Sequence, residues 1–222
     1  MKTTRKRSFY SSIVVLIAGL TIASCSTSTS ITGSWTRQDH EPQQFNTIVI
    51  LGIAQNSQNR RIFEDQVASR LEEKGYPVIP ALDLLPPDAA IGTITKDIVV
   101  EIFNSAAVDA VFTMSLRHEE DTRHYVPGRS TYYVPYYRGM GFPGYYGGFS
   151  NYYYTPGYYA GSYKIYLEAN FFDYKKGELI WSAQTRTTNI EDVNKLAREF
   201  ADVIVEDFTQ EEVVRAPAVI EE

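Results

Sequence analysis

Thr47-Ile-Val-Ile-Leu-Gly-Ile-Ala54 decides the fold. A continuous apolar run of this length, rich in β-branched residues, is too short for a helix and reads as a strand covered on both faces. Such a strand is central in its sheet. The residues that follow supply a first covering helix: from Arg60 to Lys74, the apolar positions Phe63, Val67, Ala68 and Leu71 recur at spacings of three and four, and Gly75 offers a left-handed stop. Tyr76 to Pro80 reads as a short strand, and Pro86-Pro87 forbids regular structure within Ala81 to Gly92. Thr95 is placed to cap a second helix with the face Ile98, Val99, Ile102, Phe103 and Ala106. Ala110-Val-Phe-Thr-Met-Ser-Leu116 is then a third strand, as apolar as the first.

Two alternating runs come later in the chain. Tyr163, Ile165, Leu167, Ala169 and Phe171 share one face of the first, and Leu179, Trp181, Ala183 and Thr185 one face of the second. Lys175-Lys176-Gly177 joins them, with Gly177 supplying the positive φ of a tight hairpin. Asn189 is placed to cap a last helix, with Asp192 near its positive end and Val193, Leu196, Ala197, Phe200, Ile204 and Phe208 as its buried stripe. Residues 211–222 carry charges and Pro217 without periodicity, and read as a loose tail. The order β-α-β-α-β, insertion, β-β-α predicts an α/β domain over 47–210, with a mixed sheet of about five strands. Parallel neighbours are joined by right-handed crossovers, and the hairpin adds antiparallel strands.

That order, together with Arg61-Ile-Phe-Glu-Asp65, Lys74-Gly75-Tyr76, Val108-Asp-Ala-Val111 and Gly177-Glu-Leu-Ile-Trp181-Ser182, resembles the small α/β periplasmic lipoproteins. These are similar to the amino-terminal domain of TolB, the curli secretion lipoprotein CsgG and the penicillin-binding-protein activator LpoB. The resemblance covers Thr47 to Phe208 apart from the insertion. It implies no catalytic residues and no cofactor.

The amino terminus reads independently of the domain. Lys2, Arg5, Lys6 and Arg7 precede the apolar run Ile13 to Ile22, which is too short for a permanent membrane span and has the form of a secretory signal. Ala23 and Ser24 stand just before Cys25, the only cysteine, and this stretch resembles the lipobox of bacterial lipoproteins. The resemblance implies cleavage after residue 24 and acylation of Cys25, including an N-linked chain such as palmitate. An ordinary leader with a chance cysteine is the alternative, and it leaves a free thiol in an exported protein without a role. The resemblance to Gram-negative lipoproteins, with Ser26 rather than Asp after the cysteine, implies the outer membrane, with the domain facing the periplasm. Residues 26–46, rich in Ser, Thr and other polar residues, read as a flexible tether from the lipidated Cys25, so 25–46 is expected to be unstructured; Trp35 is its one large apolar residue.

Loss of the signal removes four of 21 basic residues and no acidic one, leaving 17 against 27. A balance this acidic argues against a nucleic-acid ligand, which needs clustered Lys and Arg. With Cys25 committed to lipid, neither an internal disulfide nor a thiolate nucleophile is available. No Gly-x-Ser-x-Gly or other nucleophile-base pattern appears, so no catalytic residue is assigned. Gly52-Ile-Ala-Gln-Asn56 precedes a helix but lacks both the glycine pattern of a dinucleotide fold and the Lys of a phosphate loop. Arg60 and Arg61 read as helix-surface charges. His118 and His124 flank Glu119, Glu120 and Asp121, but a six-residue spacing fits neither one helix face nor a tight loop, so no metal is assigned.

The remaining feature is compositional. Tyr125 to Ser162 holds twelve of the seventeen tyrosines, interleaved with Gly and four prolines. They cluster as Tyr132-Tyr133, Tyr136-Tyr137, Tyr145-Tyr146, Tyr152-Tyr153-Tyr154 and Tyr158-Tyr159. An insertion of this length without helical or strand period is either functional or a low-complexity segment. Tyrosine combines a flat apolar face with a hydroxyl at small entropic cost. The clusters are therefore candidate contacts for an envelope protein or, as a stacking platform, for a glycan such as peptidoglycan. A secretion or transport component similar to CsgG is a further reading. The residues leave the oligomeric state open.

Overall fold

The computed structural model describes residues 28–86, 94–121, 141–142, 163–188, 190 and 192–215. Its strands are β1 (Ser28–Thr36), β2 (Ile48–Ile53), β3 (Val78–Pro80), β4 (Ala110–Asp121), β5 (Tyr163–Asp173) and β6 (Glu178–Thr188). The helices are α1 (Ser57–Glu73), α2 (Ala81–Leu84), α3 (Lys96–Ser105) and α4 (Val193–Gln210). The strands form one mixed sheet in the order β1-β6-β5-β4-β2-β3. β2 pairs in parallel with β3 and β4, and the remaining neighbours are antiparallel. The α/β class and the central position of the first apolar run both hold, since every residue of β2 is buried.

Local chemistry explains the boundaries. Asn56 and Thr95 cap α1 and α3 by accepting from the backbone N–H groups of Asn59 and Ile98. α1 ends in a Schellman turn: Gly75 takes φ +84° and donates to Glu72, while Tyr76 donates to Leu71. β3 lies at the sheet edge, where Pro80 needs no ladder donor. Asp192 is the cap of α4, accepting from Lys195 N–H at 2.9 Å, so the helix starts later than Asn189 suggests.

α1 and α4 cover one face of the sheet. Phe208 of α4 lies at the centre of that core, with ring centres 5.0 Å from Phe171, 5.2 Å from Trp181 and 5.6 Å from Phe112. α3 covers the other face, where Val49, Leu51, Val111, Phe172, Leu179, Val99 and Phe103 form a second apolar cluster. Two sequence expectations fail on this face. Leu179 does not share a face with Trp181: a β-bulge pairs Phe171 with Trp181 but Phe172 with Leu179, which moves Leu179 to the α3 side. Ile98 is exposed, so α3 buries a narrower stripe of Val99 and Phe103.

The larger correction concerns residues 25–46. From Ser28 onward this stretch is not a tether. Ser28–Thr36 is the sixth strand, paired along its length with β6. Beyond it, Arg37 donates its backbone N–H to Ile180 and its side-chain Nε to Leu179, and Phe45 packs edge-on against Phe171 at 5.3 Å. The physical reason lies in the hydroxyls. Thr29 and Ser34 donate to Glu199 and Asp207 of α4 and Thr36 to Glu211 at its C-cap, so a polar segment satisfies itself against a helix flank without a large apolar payload. The start of the expected tail is also docked: Val213 and Val214 are buried, and Gln43 bridges Val214. Residues 216–222 lie outside the described residues.

Candidate functional site

The α3 side of the sheet is apolar only along half of its length. Toward the ends of β4 and β5 that bound the insertion, apolar residues give way to charges and amides. A bulge at Arg117 in β4 keeps that residue, His118 and Glu120 on this face, opposite Tyr166 and Lys164 of β5. Glu168 is fully buried there. Its Oε1 accepts from Asn170 Nδ2 at 2.9 Å, and its Oε2 accepts from Gln184 Nε2 at 3.1 Å and pairs with Arg117 Nε at 3.2 Å. A buried carboxylate persists only with such partners, since removing it from water costs several kcal/mol.

Nearer the insertion the charges reach solvent. Lys164 Nζ pairs with Glu120 at 3.1 Å, and the Tyr166 hydroxyl donates to Glu120 at 3.1 Å. Hydrogen bonds from Lys164 and Tyr166 hold the Glu120 carboxyl below its ordinary value. The His118 ring lies over Tyr166, with centres 5.7 Å apart. Gln184 and Arg186 are exposed on β6 beside them. This surface offers fixed donors and acceptors next to the strand ends from which the tyrosine-rich stretch departs and to which it returns.

Part of the insertion is described. Phe142 is fully buried in the α3-side cluster, stacked on Phe103 at 5.7 Å with Tyr174 edge-on at 5.8 Å. Gly141 makes this approach possible: a Cβ there would lie 2.7 Å from the Gly177 carbonyl oxygen. Cys25 and the tyrosines 132, 133, 136, 137, 145, 146, 152, 153, 154, 158 and 159 lie outside the described residues.

A second buried charge pair sits across the sheet. Arg60, expected at the surface, is buried against Glu64, with Nε to Oε1 at 2.7 Å. Glu64 also accepts from the backbone N–H groups of Gly52 and Leu82, each at 2.9 Å. Burial pushes the Glu64 carboxyl up, while the Arg60 charge and these N–H donors pull it back. Gly52 leaves room for this arrangement, because a Cβ there would meet Arg60 Cγ at 3.0 Å. The pair joins β2, α1 and α2, and reads as a structural clamp. Arg61, by contrast, is exposed and pairs with Asp65 and Asp83.

Sequence reasoning missed the burial of Glu64 and of Glu168. Glu168 and Asn170 alternate with Leu167, Ala169 and Phe171, a pattern that a strand with one wet face shows equally well. The i,i+4 spacing of Arg60 and Glu64 was the available signal for the other pair. Among the described residues no group of three His, Cys, Asp or Glu side chains is placed to hold a metal, and no helix is long and apolar enough to cross a membrane. A shallow depression lined by Val100, Asn104, Ala107, Val108, Tyr174 and Lys175 has its Tyr174 hydroxyl bonded to Val100 O and Asn104 Oδ1.

No protein-family model and no curated protein matches the chain. Among solved structures it is similar to a single-substitution variant of the PelC dodecamer from Paraburkholderia phytofirmans. The identity is 12%, the TM-score 0.43, and the match covers 86% of this chain and 100% of that one. A second structure of the PelC dodecamer from the same organism matches at 13% identity and TM-score 0.40, with the same coverage. Lipoprotein GNA1162 from Neisseria meningitidis matches at 14% identity and TM-score 0.37, covering 74% of this chain and 98% of that one.

Proposed function

We propose that this protein is a non-enzymatic, lipid-anchored component of a bacterial cell envelope that binds an envelope protein through its tyrosine-rich insertion. The observation that carries the reading is the conjunction of a secretory leader ending just before Cys25 with twelve tyrosines in one 38-residue stretch, 125–162. The anchor confines the domain to a shell beside the outer membrane, on its periplasmic side, and so raises its effective concentration for neighbours there. Modest affinity is then sufficient. The sheet acts as scaffold, and the polar surface around His118, Tyr166 and Arg186 flanks the insertion's two roots.

In-cell crosslinking tests this reading by comparing the intact chain with one in which the clustered tyrosines 132, 133, 136, 137, 145, 146, 152, 153, 154, 158 and 159 are replaced by Ser, which leaves the buried Phe142 in place. A defined envelope protein captured by the first and lost with the second supports it. Identical capture by both removes it. Peptidoglycan is the competing ligand, favoured by the polar groups of His118, Gln184 and Arg186 near Tyr166. Co-sedimentation with purified peptidoglycan, abolished when the paired tyrosines are replaced, would select it instead. A secretion component similar to CsgG would form rings that need detergent for extraction even as Cys25→Ser.

A further inference from the structure

The register of the sheet carries information about the membrane itself. Ser28 pairs with Thr188, Thr188 with Lys164, and Lys164 with Glu120, so these four residues form one row across β1, β6, β5 and β4. At about 4.8 Å per strand the row is about 14 Å wide. Asp121 and Tyr163, the roots of the tyrosine-rich insertion, stand beside it. The first residue of the row is only three steps from Cys25 in the chain. Three Cα steps of about 3.8 Å reach about 11 Å.

We infer that the row end of the sheet, carrying Ser28, Thr188, Lys164 and Glu120, rests against the phospholipid surface, with the strands standing away from it. The inference rests on the acylation of Cys25 proposed above. A 22-residue tether would let the domain sample any orientation, but β1 begins too early for that. The hairpin turn before Glu178 lies at the opposite end of β5, nine residues and about 30 Å from Lys164.

A short tether also permits the sheet to lie on its β1 edge, and charge disfavours this. Glu199 and Asp207 of α4 and Glu211 at its C-cap line β1 and accept from its hydroxyls, with Glu206 and Glu212 exposed nearby; Asp202 pairs instead with Arg70 of α1. Such an acidic flank is repelled by anionic headgroups. At the row end Lys164 is paired with Glu120 instead, and Arg186 is exposed two residues from Thr188. Trp35, 45% exposed, lies about 20 Å along β1 from Ser28, and so reports on the edge rather than on the end. The insertion therefore enters and leaves the domain at the membrane, where tyrosine rings are favoured.

The test uses the full acylated chain in vesicles of phosphatidylethanolamine with a minority of phosphatidylglycerol, containing a headgroup spin-labelled lipid as quencher. Environment-sensitive labels are placed at Arg186→Cys and at Glu178→Cys, and Trp35 serves as the native edge probe. The label at 186 is expected to lose most of its emission, with the label at 178 and Trp35 unchanged. Quenching at Trp35 or at 178, or none at 186, overturns the inference. A twenty-residue Gly/Ser insertion between Ser26 and Thr27 should abolish the quenching at 186, and its persistence counts against the short tether as cause. Mass analysis of the same sample separates the two failures. An unmodified Cys25 defeats the anchor itself, whereas an acylated Cys25 with the wrong quenching pattern defeats only the orientation.

Discussion

Against α1 and α4 the sheet presents Phe112, Phe171, Trp181 and Ala183, and Phe208 fills the space between them. Against α3 it is apolar around Val111, Phe172 and Phe142, then becomes charged through Glu168, Arg117, Lys164 and Glu120. The first face has the composition of a core that only holds the fold together. Glu64 on the first face is enclosed between β2, α1 and α2, whereas Glu168 on the second is joined through Arg117 and Gln184 to a polar surface that reaches water beside the insertion. The difference separates the part of the molecule that specifies shape from the part we assign to binding.

The comparison breaks most readily at its apolar side. Phe208→Ala should cost about 3–5 kcal/mol in urea denaturation, because the ring contacts four other buried aromatics, Tyr76, Phe112, Phe171 and Trp181, and the site cannot collapse around the void. Glu64→Ala should cost a similar amount, about 3–5 kcal/mol, by leaving the Arg60 charge buried without its carboxylate. Replacing both Arg60 and Glu64 by apolar residues of similar volume should recover most of that loss. On the polar face Glu168→Ala should cost less, about 1–3 kcal/mol, since Arg117 retains access to water. A Glu168→Ala loss equal to that of Phe208→Ala would erase the distinction drawn between the faces.

Acid sharpens the comparison at the far end of the sheet. Burial alone would raise Asp109 and Asp173. Hydrogen bonds from Lys175 and the Asn46 backbone to Asp109, and from the Lys176 backbone, the Lys176 side chain and Gln43 to Asp173, outweigh it and hold both below the ordinary carboxylate range. With folded values depressed, the unfolded chain takes up protons first. The stability these two supply is therefore complete above about pH 4, the ordinary carboxylate value, and lost as pH falls below it. Glu64 has the opposite sign, its folded value being raised, so its contribution declines as pH rises from the ordinary glutamate value to that higher one. Urea midpoints followed against pH should show an acid limb that flattens in Asp109→Asn with Asp173→Asn.

The smallest effect concerns a helix end on the α3 side. Ala107 takes φ +51° at the end of α3, where Ala107 N–H bonds Asn104 and Val108 N–H bonds Phe103, the same turn that Gly75 makes after α1. Glycine suits that conformation better, so Ala107→Gly should raise stability by about 1 kcal/mol or less. Destabilisation in the same assay would show that the Ala107 methyl contributes packing that outweighs the backbone strain.

Legibility in the sequence followed how each residue meets water. β2 and the first half of β4 are buried on both faces, so their apolar runs were readable as central strands, and Gly75 and Gly177 marked turns that need positive φ. β1 was not readable, because its hydroxyls bond to acids of α4 some 170 residues away, and no local pattern announces a partner at that distance. Leu179 was misassigned because a bulge shifts the period of two by one residue. Arg60 and Glu168 escaped because a charge carries no sign of its burial. Of the candidate site, the insertion and Cys25 were visible as composition and motif, while the polar face beneath them emerged only from the register.

Mass spectrometry of the protein isolated from its own cells bears most directly on the lipid-anchored account. The account predicts a mature chain that begins at Cys25 and carries acyl groups on its sulfur and its amino terminus. A chain retaining the leader, or one ending in a free thiol at residue 25, would contradict it.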